Sequence, residues 1–440
     1  MKNGNIFLAG LCIFGACAPL ASSAETAEDS VLFARFRPDS PSHLYSAGAR
    51  AVVEASVTDK AGKAPTNGVV EVWADDGWTN IVWRRTEDLS KTPSLRMELS
   101  RQTPGSLRLW MRGKDFKVRS RPERIIFGVE DIKPLTPCPP DFEEYWRGER
   151  KRLEREVPID VVKTPAPDLS TEDRDAFRVS FATFGGKRIY GFLSVPKAPG
   201  RHPAIVNVPG AGPGEWSLDD RAIRPGYITL VMNVHDFPHC MSRDEQKARF
   251  GEMMARLSAE SGEPTYQRYG FASGRRDAPI YHDAMLGMAR AIEWLANEPY
   301  ADPSRFVYRG GSQGGGFGIY LTALWGKFAK SCILCPNMCD MLAYRHGREP
   351  GSEHIKDQMP EHRPEAEKTA PYYDACNFAR LITTPVRMTY GTMDDNCQTE
   401  GGIAAFNCIA SKDKKLFLLP GYGHGPRTKG TGIDEWLFRQ

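Results

Sequence analysis

Gly310-Gly311-Ser312-Gln313-Gly314 places a serine between glycines in the pattern G-x-S-x-G. That pattern can lift a hydroxyl nucleophile out of a sharp strand-to-helix bend. Its setting fits. It directly follows an apolar strand candidate, Arg305-Phe306-Val307-Tyr308, and opens a stretch from Phe317 to Trp325 that can be helical. The glycines have a physical role, because such a bend is strained and crowded by the neighbouring strand and helix. A serine hydroxyl is a weak nucleophile. It needs a base, and the base needs a group that orients it. His424 lies in Gly421-Tyr422-Gly423-His424-Gly425, a glycine-rich loop and not an apolar face, which suits a base better than a buried structural histidine. The carboxylate is Asp394 or Asp395, both at the end of Tyr390-Gly391-Thr392-Met393-Asp394-Asp395. Asp394 is nearer the strand end and is preferred. Asp395 then reads as a solvated loop charge or an Asx turn.

The elements that must position these groups alternate from about residue 141 onward. Ala204 to Val208, Ile228 to Met232, Arg305 to Tyr308, Cys332 to Cys335, Val386 to Tyr390 and Leu416 to Leu419 are apolar strands, and Asp283 to Asn297 is a helix with Met285, Met288, Ile292 and Leu295 on one face. Apolar strands separated by helices predict a parallel sheet covered on both faces. With the order serine, acid, histidine at successive strand ends, the expected fold is an α/β-hydrolase: a doubly wound, mostly parallel sheet. A tetrahedral intermediate at Ser312 would need two backbone N–H donors. Gln313 supplies one. Ala211, in the loop Val208-Pro209-Gly210-Ala211-Gly212-Pro213-Gly214, is the preferred second, since Pro209 and Pro213 cannot donate.

Further stretches carry a resemblance to a known family. They are Asp141-Phe142-Glu143-Glu144-Tyr145-Trp146, Phe184-Gly185-Gly186-Lys187-Arg188-Ile189-Tyr190-Gly191, Tyr281-His282-Asp283-Ala284, Tyr372-Tyr373-Asp374-Ala375-Cys376-Asn377-Phe378-Ala379 and Gly391-Thr392-Met393-Asp394, together with the serine motif. From about residue 135 to the C-terminus the chain resembles the acetyl xylan esterase / cephalosporin-C deacetylase family, carbohydrate esterase family seven. The resemblance implies a serine esterase acting on acetylated carbohydrates, with Asp394 as the acid and no cofactor. It also makes a homo-oligomer, such as the family's ring-like hexamer, an open alternative. Ala211 falls where the family has a tyrosine whose N–H serves the oxyanion hole. Gly425 replaces the family's glutamate after the histidine. The segment Met241 to Gly270 is longer than the family's and is expected to lie over the site.

Residues 28–128 read as a small all-β sandwich of immunoglobulin-like size that precedes the catalytic domain at 141–440. Val70-Glu71-Val72-Trp73, Leu95 to Leu99 and Leu107-Arg108-Leu109 alternate between apolar and polar, with turn residues at short intervals. Trp73, Trp78, Trp83 and Trp110 are weighed as a sugar-stacking platform against the commoner role of packing. The Pro-rich run Lys133 to Pro140 marks a stiff linker at 129–140.

Lys2, the apolar run Ile6 to Leu20 and Ala21-Ser22-Ser23-Ala24 predict a signal peptide at 1–24, so the protein is expected to be exported, periplasmic or extracellular. Lipoprotein processing at Cys17 is the alternative. No later apolar run is long enough to span a membrane. The formal net charge of +3 is spread without a basic block, which gives no reason to expect a nucleic-acid partner. Cys332-x-x-Cys335-x-x-x-Cys339 invites a metal reading, but Ser331 to Cys335 reads better as a buried strand in which cysteine acts as a small hydrophobe. Competing functions are an exported serine peptidase, an esterase for larger acyl or uronate groups, and a non-catalytic carbohydrate-binding protein.

Overall fold

The computed structural model describes residues 32–439 except 93, 121, 219–222 and 352–354. The expected signal peptide and Cys17 lie outside the described residues.

Nine short strands come first: β1 (Leu32–Pro38), β2 (Leu44–Tyr45), β3 (Arg50–Thr58), β4 (Val69–Asp75), β5 (Ile81–Asp88), β6 (Ser94–Ser100), β7 (Gly105–Gly113), β8 (Val118–Ser120) and β9 (Glu123–Phe127). They form one sheet in the order β6-β3-β1-β8 and a second in the order β2-β9-β7-β4-β5. The alternation read in the sequence decides which side chains point inward. Along β6, Leu95, Met97 and Leu99 are buried while the residues between them are exposed. With Val53, Val57, Val72, Leu109 and Ile125 they fill the space between the two sheets. Trp73 and Trp110 face each other across β4 and β7, their rings nearly parallel at 6.1 Å. Trp110 Nε1 donates to Asp75 at 2.7 Å.

The strands from residue 161 onward belong to a different, nine-stranded sheet. Its members are β10 (Val161–Pro165), β11 (Arg174–Ala182), β12 (Arg188–Pro196), β13 (His202–Asn207), β14 (Ile228–Met232), β15 (Ala301–Gly311), β16 (Lys330–Leu334), β17 (Val386–Gly391) and β18 (Lys414–Leu419). The order is β10-β11-β12-β14-β13-β15-β16-β17-β18. The six strands from β14 to β18 are parallel, and β10 to β12 form an antiparallel edge. The helices are α1 (Phe142–Glu156), α2 (Arg243–Ser261), α3 (Ile280–Ala296), α4 (Gln313–Trp325), α5 (Arg363–Thr369), α6 (Ala375–Ala379), α7 (Thr399–Cys408) and α8 (Ile433–Phe438). Strand alternation feeds both faces of the sheet. Ala204, Val206, Phe306, Tyr308 and Ile333 join the large core that contains α3 and α4, whereas Ile205, Val307 and Cys332 pack on Ile433 and Leu437 of α8.

The Pro-rich run is fastened to the segment that follows β16. The N–H groups of Leu135 and Thr136 donate to Asp340 Oδ1 at 2.8 and 2.7 Å, and Thr136 Oγ1 accepts the N–H of Leu342 at 2.9 Å. Asp374 caps α6 by accepting the N–H of Cys376, and it also takes the N–H groups of Asp340 and Met341. Burial and the neighbouring Asp340 push the Asp374 carboxyl above its ordinary range. Arg348 pairs with Asp340 from the other side.

Candidate active site

β15 ends at Gly311 and α4 starts at Gln313, so the whole change of direction falls on Ser312. Its φ of 58° and ψ of −122° lie in a region that residues with a Cβ avoid. A Cβ at Gly314 would stand 1.9 Å from the carbonyl oxygen of Val208, and one at Gly310 would stand 2.5 Å from that of Gly314. The flanking glycines therefore let the elbow close against the neighbouring strand. Ser312 becomes the N-cap of α4, where the unpaired N–H groups of the first turn favour negative charge nearby.

Three loops at the C-terminal ends of β15, β17 and β18 bring the candidate groups together. His424 Nε2 is 3.1 Å from Ser312 Oγ. On the other side of the ring, His424 Nδ1 is 2.9 Å from Oδ2 and 3.1 Å from Oδ1 of Asp394. Asp394 is fully buried, and its Oδ1 also accepts the N–H groups of Asn396 at 3.1 Å and Cys397 at 2.8 Å. Asp395 is exposed and contributes its backbone carbonyl to Gln398 at 2.8 Å. The hydrogen bond to Asp394 raises the His424 pKa above its ordinary value, against the opposing effect of partial burial.

The backbone of Gln313 starts α4 directly beside Ser312. The loop after β13 lies close: a Cβ at Gly210 would be 3.8 Å from that of Ser312. Ala211, the next residue, is exposed. A cleft of about 660 Å³ reaches Ser312 and is lined by Pro209, Gly210, Glu215, Arg224, Leu334 and Pro426 among others.

The segment Met241 to Gly270 is mostly α2, and it packs beside this loop. Gln246 on α2 donates to the carbonyl of Pro213, and Tyr266 donates its hydroxyl to Gln313 Oε1 at 2.5 Å. Under the loop, His235 is buried against Phe237, Phe250 and Tyr266. Burial pushes its pKa down to about 4, so it is neutral at ordinary pH.

Two cysteines lie at the site, and Cys397 escaped sequence reading. Cys397 Sγ is 4.0 Å from Ser312 Oγ. Cys335 does not continue the strand, as the sequence suggested. β16 stops at Leu334, and Cys335 turns out of it at a φ of 35°. The ladder runs one rung past the strand on both sides: Ser312 N–H donates to the carbonyl of Leu334 at 3.0 Å, and Cys335 N–H donates to that of Thr389 at 2.8 Å. Cys335, Asp394 and His424 each offer a ligand atom, and these lie within 4.8 Å of one another. Burial pushes the Cys335 thiol up to about 12, which keeps it protonated, and the His424 nitrogens already face Asp394 and Ser312. The donor set therefore fits a hydrogen-bonded base better than a cation. Cys332 belongs to the core on the opposite face of the sheet. All eight cysteines among the described residues are free thiols, six of them buried.

A mostly parallel sheet with a strained serine elbow and histidine and aspartate on the following strand ends defines an α/β-hydrolase fold. The chain belongs to the acetyl xylan esterase (AXE1) family, whose sequence pattern matches residues 128–433, and is a carboxylic ester hydrolase. It is 29% identical over 322 residues to the acetyl esterase Axe7A of Xylanibacter ruminicola, covering 72% of this chain and 71% of that one. In fold it is similar to acetyl xylan esterase 1 of a Thermoanaerobacterium species, with a TM-score of 0.58 and 23% identity, covering 70% of this chain and 96% of the other. An acetyl xylan esterase of a Paenibacillus species gives a TM-score of 0.56 and 22% identity, covering 71% and 96%. Among the described residues, no helix is long and apolar enough to cross a membrane.

Proposed function

We propose that this protein is an exported serine esterase that removes acetyl groups from acetylated carbohydrates, xylan fragments among them, through an acetyl-enzyme on Ser312. The observation that carries the reading is the continuous hydrogen-bonded line Ser312–His424–Asp394. His424 Nε2 takes the proton as Ser312 Oγ attacks the acetyl carbonyl carbon. Asp394 holds the imidazole with Nε2 toward the serine and stabilises the imidazolium. The N–H groups of Gln313 and Ala211 receive the oxyanion. When the tetrahedral adduct collapses, the bond from the acyl carbon to the sugar oxygen breaks, and His424 protonates the departing hydroxyl. Water, deprotonated by the same histidine, then attacks the acetyl-serine, and acetate leaves.

The acetyl preference is drawn from the family and from Axe7A. Cys397 close to Ser312 Oγ supports it, because a side chain at that distance leaves little room for a large acyl group. Export is read from the leader-like run Ile6 to Leu20 with its small-residue end at Ala24. The order of the chain suits a sandwich at 28–128 followed by a catalytic domain at 141–440.

Acetyl, feruloyl and peptide chromogenic substrates presented side by side test the reading, together with mass spectrometry of the Ser312 peptide after rapid acid quench. Acetate release with an acetylated Ser312 is the expected result. Preference for the feruloyl or peptide substrate, or turnover that survives Ser312→Ala, would overturn it.

A further inference from the structure

The loop that presents Asp394 is held from two sides. On the hydrolase side, Thr399 Oγ1 donates to the carbonyl of Gly391 at 2.9 Å. On the other side its anchors come from the N-terminal sandwich. Gln398, the N-cap of α7, binds the carbonyl of Asp395 through Nε2 at 2.8 Å, and its Oε1 accepts Nη2 of Arg124 on β9 at 3.4 Å. Two residues further on, Glu400 Oε1 accepts both the N–H of Ser106, at 3.0 Å, and the Ser106 hydroxyl, on β7. These four side chains are sealed from water: Ser106 is 0% exposed, Arg124 2%, Gln398 3% and Glu400 4%. Arg124 is also 3.8 Å from Glu349, which pairs with Arg108 of β7 at 3.0 Å.

We propose that the sandwich is a working part of the catalytic site, with Arg124 and Ser106 acting through Gln398 and Glu400 as positioning residues that hold the Asp394 loop in register with His424. The inference rests on the reading of Asp394 as the group that orients His424. The buried setting gives it force. A charged side chain that loses its partner away from water must shift to find another, and the element that carries it shifts too. Gln398 follows Asp394 by only four positions, so a displacement at the sandwich contact has little backbone in which to dissipate. Misplacing a catalytic group by about 1 Å can reduce turnover roughly a hundredfold.

The expected signature is a fall in kcat with KM little changed, together with a shift in pH dependence. The groups facing His424 are Asp394 and Asp395 from the loop after β17, the protonated Cys335 after β16, and Ser312. Arg427 of its own loop lies over Tyr422 instead. Weakening the Asp394 contact therefore lowers the pKa of His424, and the acid limb of kcat/KM moves to lower pH.

The test compares Gln398→Leu and Ser106→Ala in the full chain on a soluble acetyl ester, with thermal melting as a check on folding. Gln398→Leu should lower kcat roughly tenfold or more at a KM within about twofold of the original, with the acid limb displaced downward. Ser106→Ala should act in the same direction by a few-fold. If Gln398→Leu does not fold, Ser106→Ala decides by the same criterion. A changed melting temperature with unchanged kcat and unchanged acid limb would overturn the proposal. Asp394→Asn is run beside them. If it keeps full activity, the reading of Asp394 fails; if it loses activity while Ser106→Ala, the sandwich variant, keeps full activity and an unmoved acid limb, only the role of the sandwich fails.

Discussion

Oδ1 of Asp394 accepts the backbone N–H of Cys397 at 2.8 Å while Oδ2 stands 2.9 Å from His424 Nδ1, so the carboxylate divides its two oxygens between its own loop and the imidazole. The loop N–H groups hold the carboxylate in place, and the carboxylate then fixes the ring. Mutating the site should show this dependence.

Ser312→Ala and His424→Ala are each expected to lower kcat by about 10⁴-fold or more without unfolding the protein. Asp394→Asn should lose nearly as much, because an amide can present its NH₂ to Nδ1 and favour the wrong tautomer. Asp395→Asn should stay within about threefold of the parent, its side chain being exposed. Steady-state kinetics on an acetyl ester, with circular dichroism to confirm folding, checks all four. Equal losses at the two aspartates would mean that the orienting group is misassigned.

The pH profile carries a definite sign. Asp394 raises the folded pKa of His424, so the pair stabilises the fold fully below the ordinary histidine value, and that contribution is lost as pH rises through the raised one. The base must be neutral to act, so activity runs the opposite way and grows through the same raised pKa. The acid limb of kcat/KM should lie above the ordinary value of about 6.5. In Asp394→Asn any residual activity should show the limb at lower pH. An acid limb at or below the ordinary histidine value in the parent protein would contradict the assignment.

Gly314→Ala should be among the most damaging single-methyl additions in the chain. The new Cβ would meet the backbone carbonyl oxygen of Val208, the residue after β13, at 1.9 Å. Overpacking of this kind costs about 1–3 kcal/mol or more. Urea unfolding should show a clearly lowered midpoint, and the folded remainder should be impaired in turnover because the elbow has moved. An unchanged midpoint would show that the elbow has slack the structure does not contain.

Thiol labelling should discriminate sharply between sites. Cys138 is exposed, whereas Cys335 is buried with its thiol pushed up to about 12. Iodoacetamide on the native protein should modify Cys138 well ahead of Cys332, Cys335 and Cys376, and peptide mapping reads the order. Early loss of Cys335 would mean that the site opens far more than its packing allows.

Substrate length is the last prediction. Ala211 is small and exposed in the loop after β13, and α2 packs beside that loop through Gln246 and Pro213. Short acetylated oligosaccharides should release acetate faster than polymeric xylan at matched acetyl concentration. Faster release from the intact polymer would refute this.

The sequence made Ser312 legible because an elbow is a local device, written in five consecutive residues. Asp394 and His424 were legible through chain order, since successive parallel strands deliver their ends to one edge. Cys335 was misread for a physical reason. The apolar run continues unbroken through Cys335, and nothing in it marks the turn to a φ of 35° one residue past Leu334. In the antiparallel edge, β10 and β11 interrupt their apolar residues with Lys163, Thr164, Arg174, Asp175, Arg178 and Ser180, which leaves no continuous apolar run. Ser106 and Arg124 lie far from Gln398 and Glu400 along the chain, and nothing in local pattern distinguishes these four from surface groups.

The fastening of Leu135 and Thr136 to Asp340 bears on how such a chain could arise. Many accessory units travel between enzymes by recombination because a loose tether asks nothing of its host. Here the tether is itself recognised by the host, and so is the unit beyond it, through Glu349 and Glu400. Transplanting residues 32–140 onto another esterase would part Arg124 and Ser106 from the Gln398, Glu349 and Glu400 that meet them here. The ancestry of the two halves should therefore be shared: their phylogenies, reconstructed separately, should have the same branching.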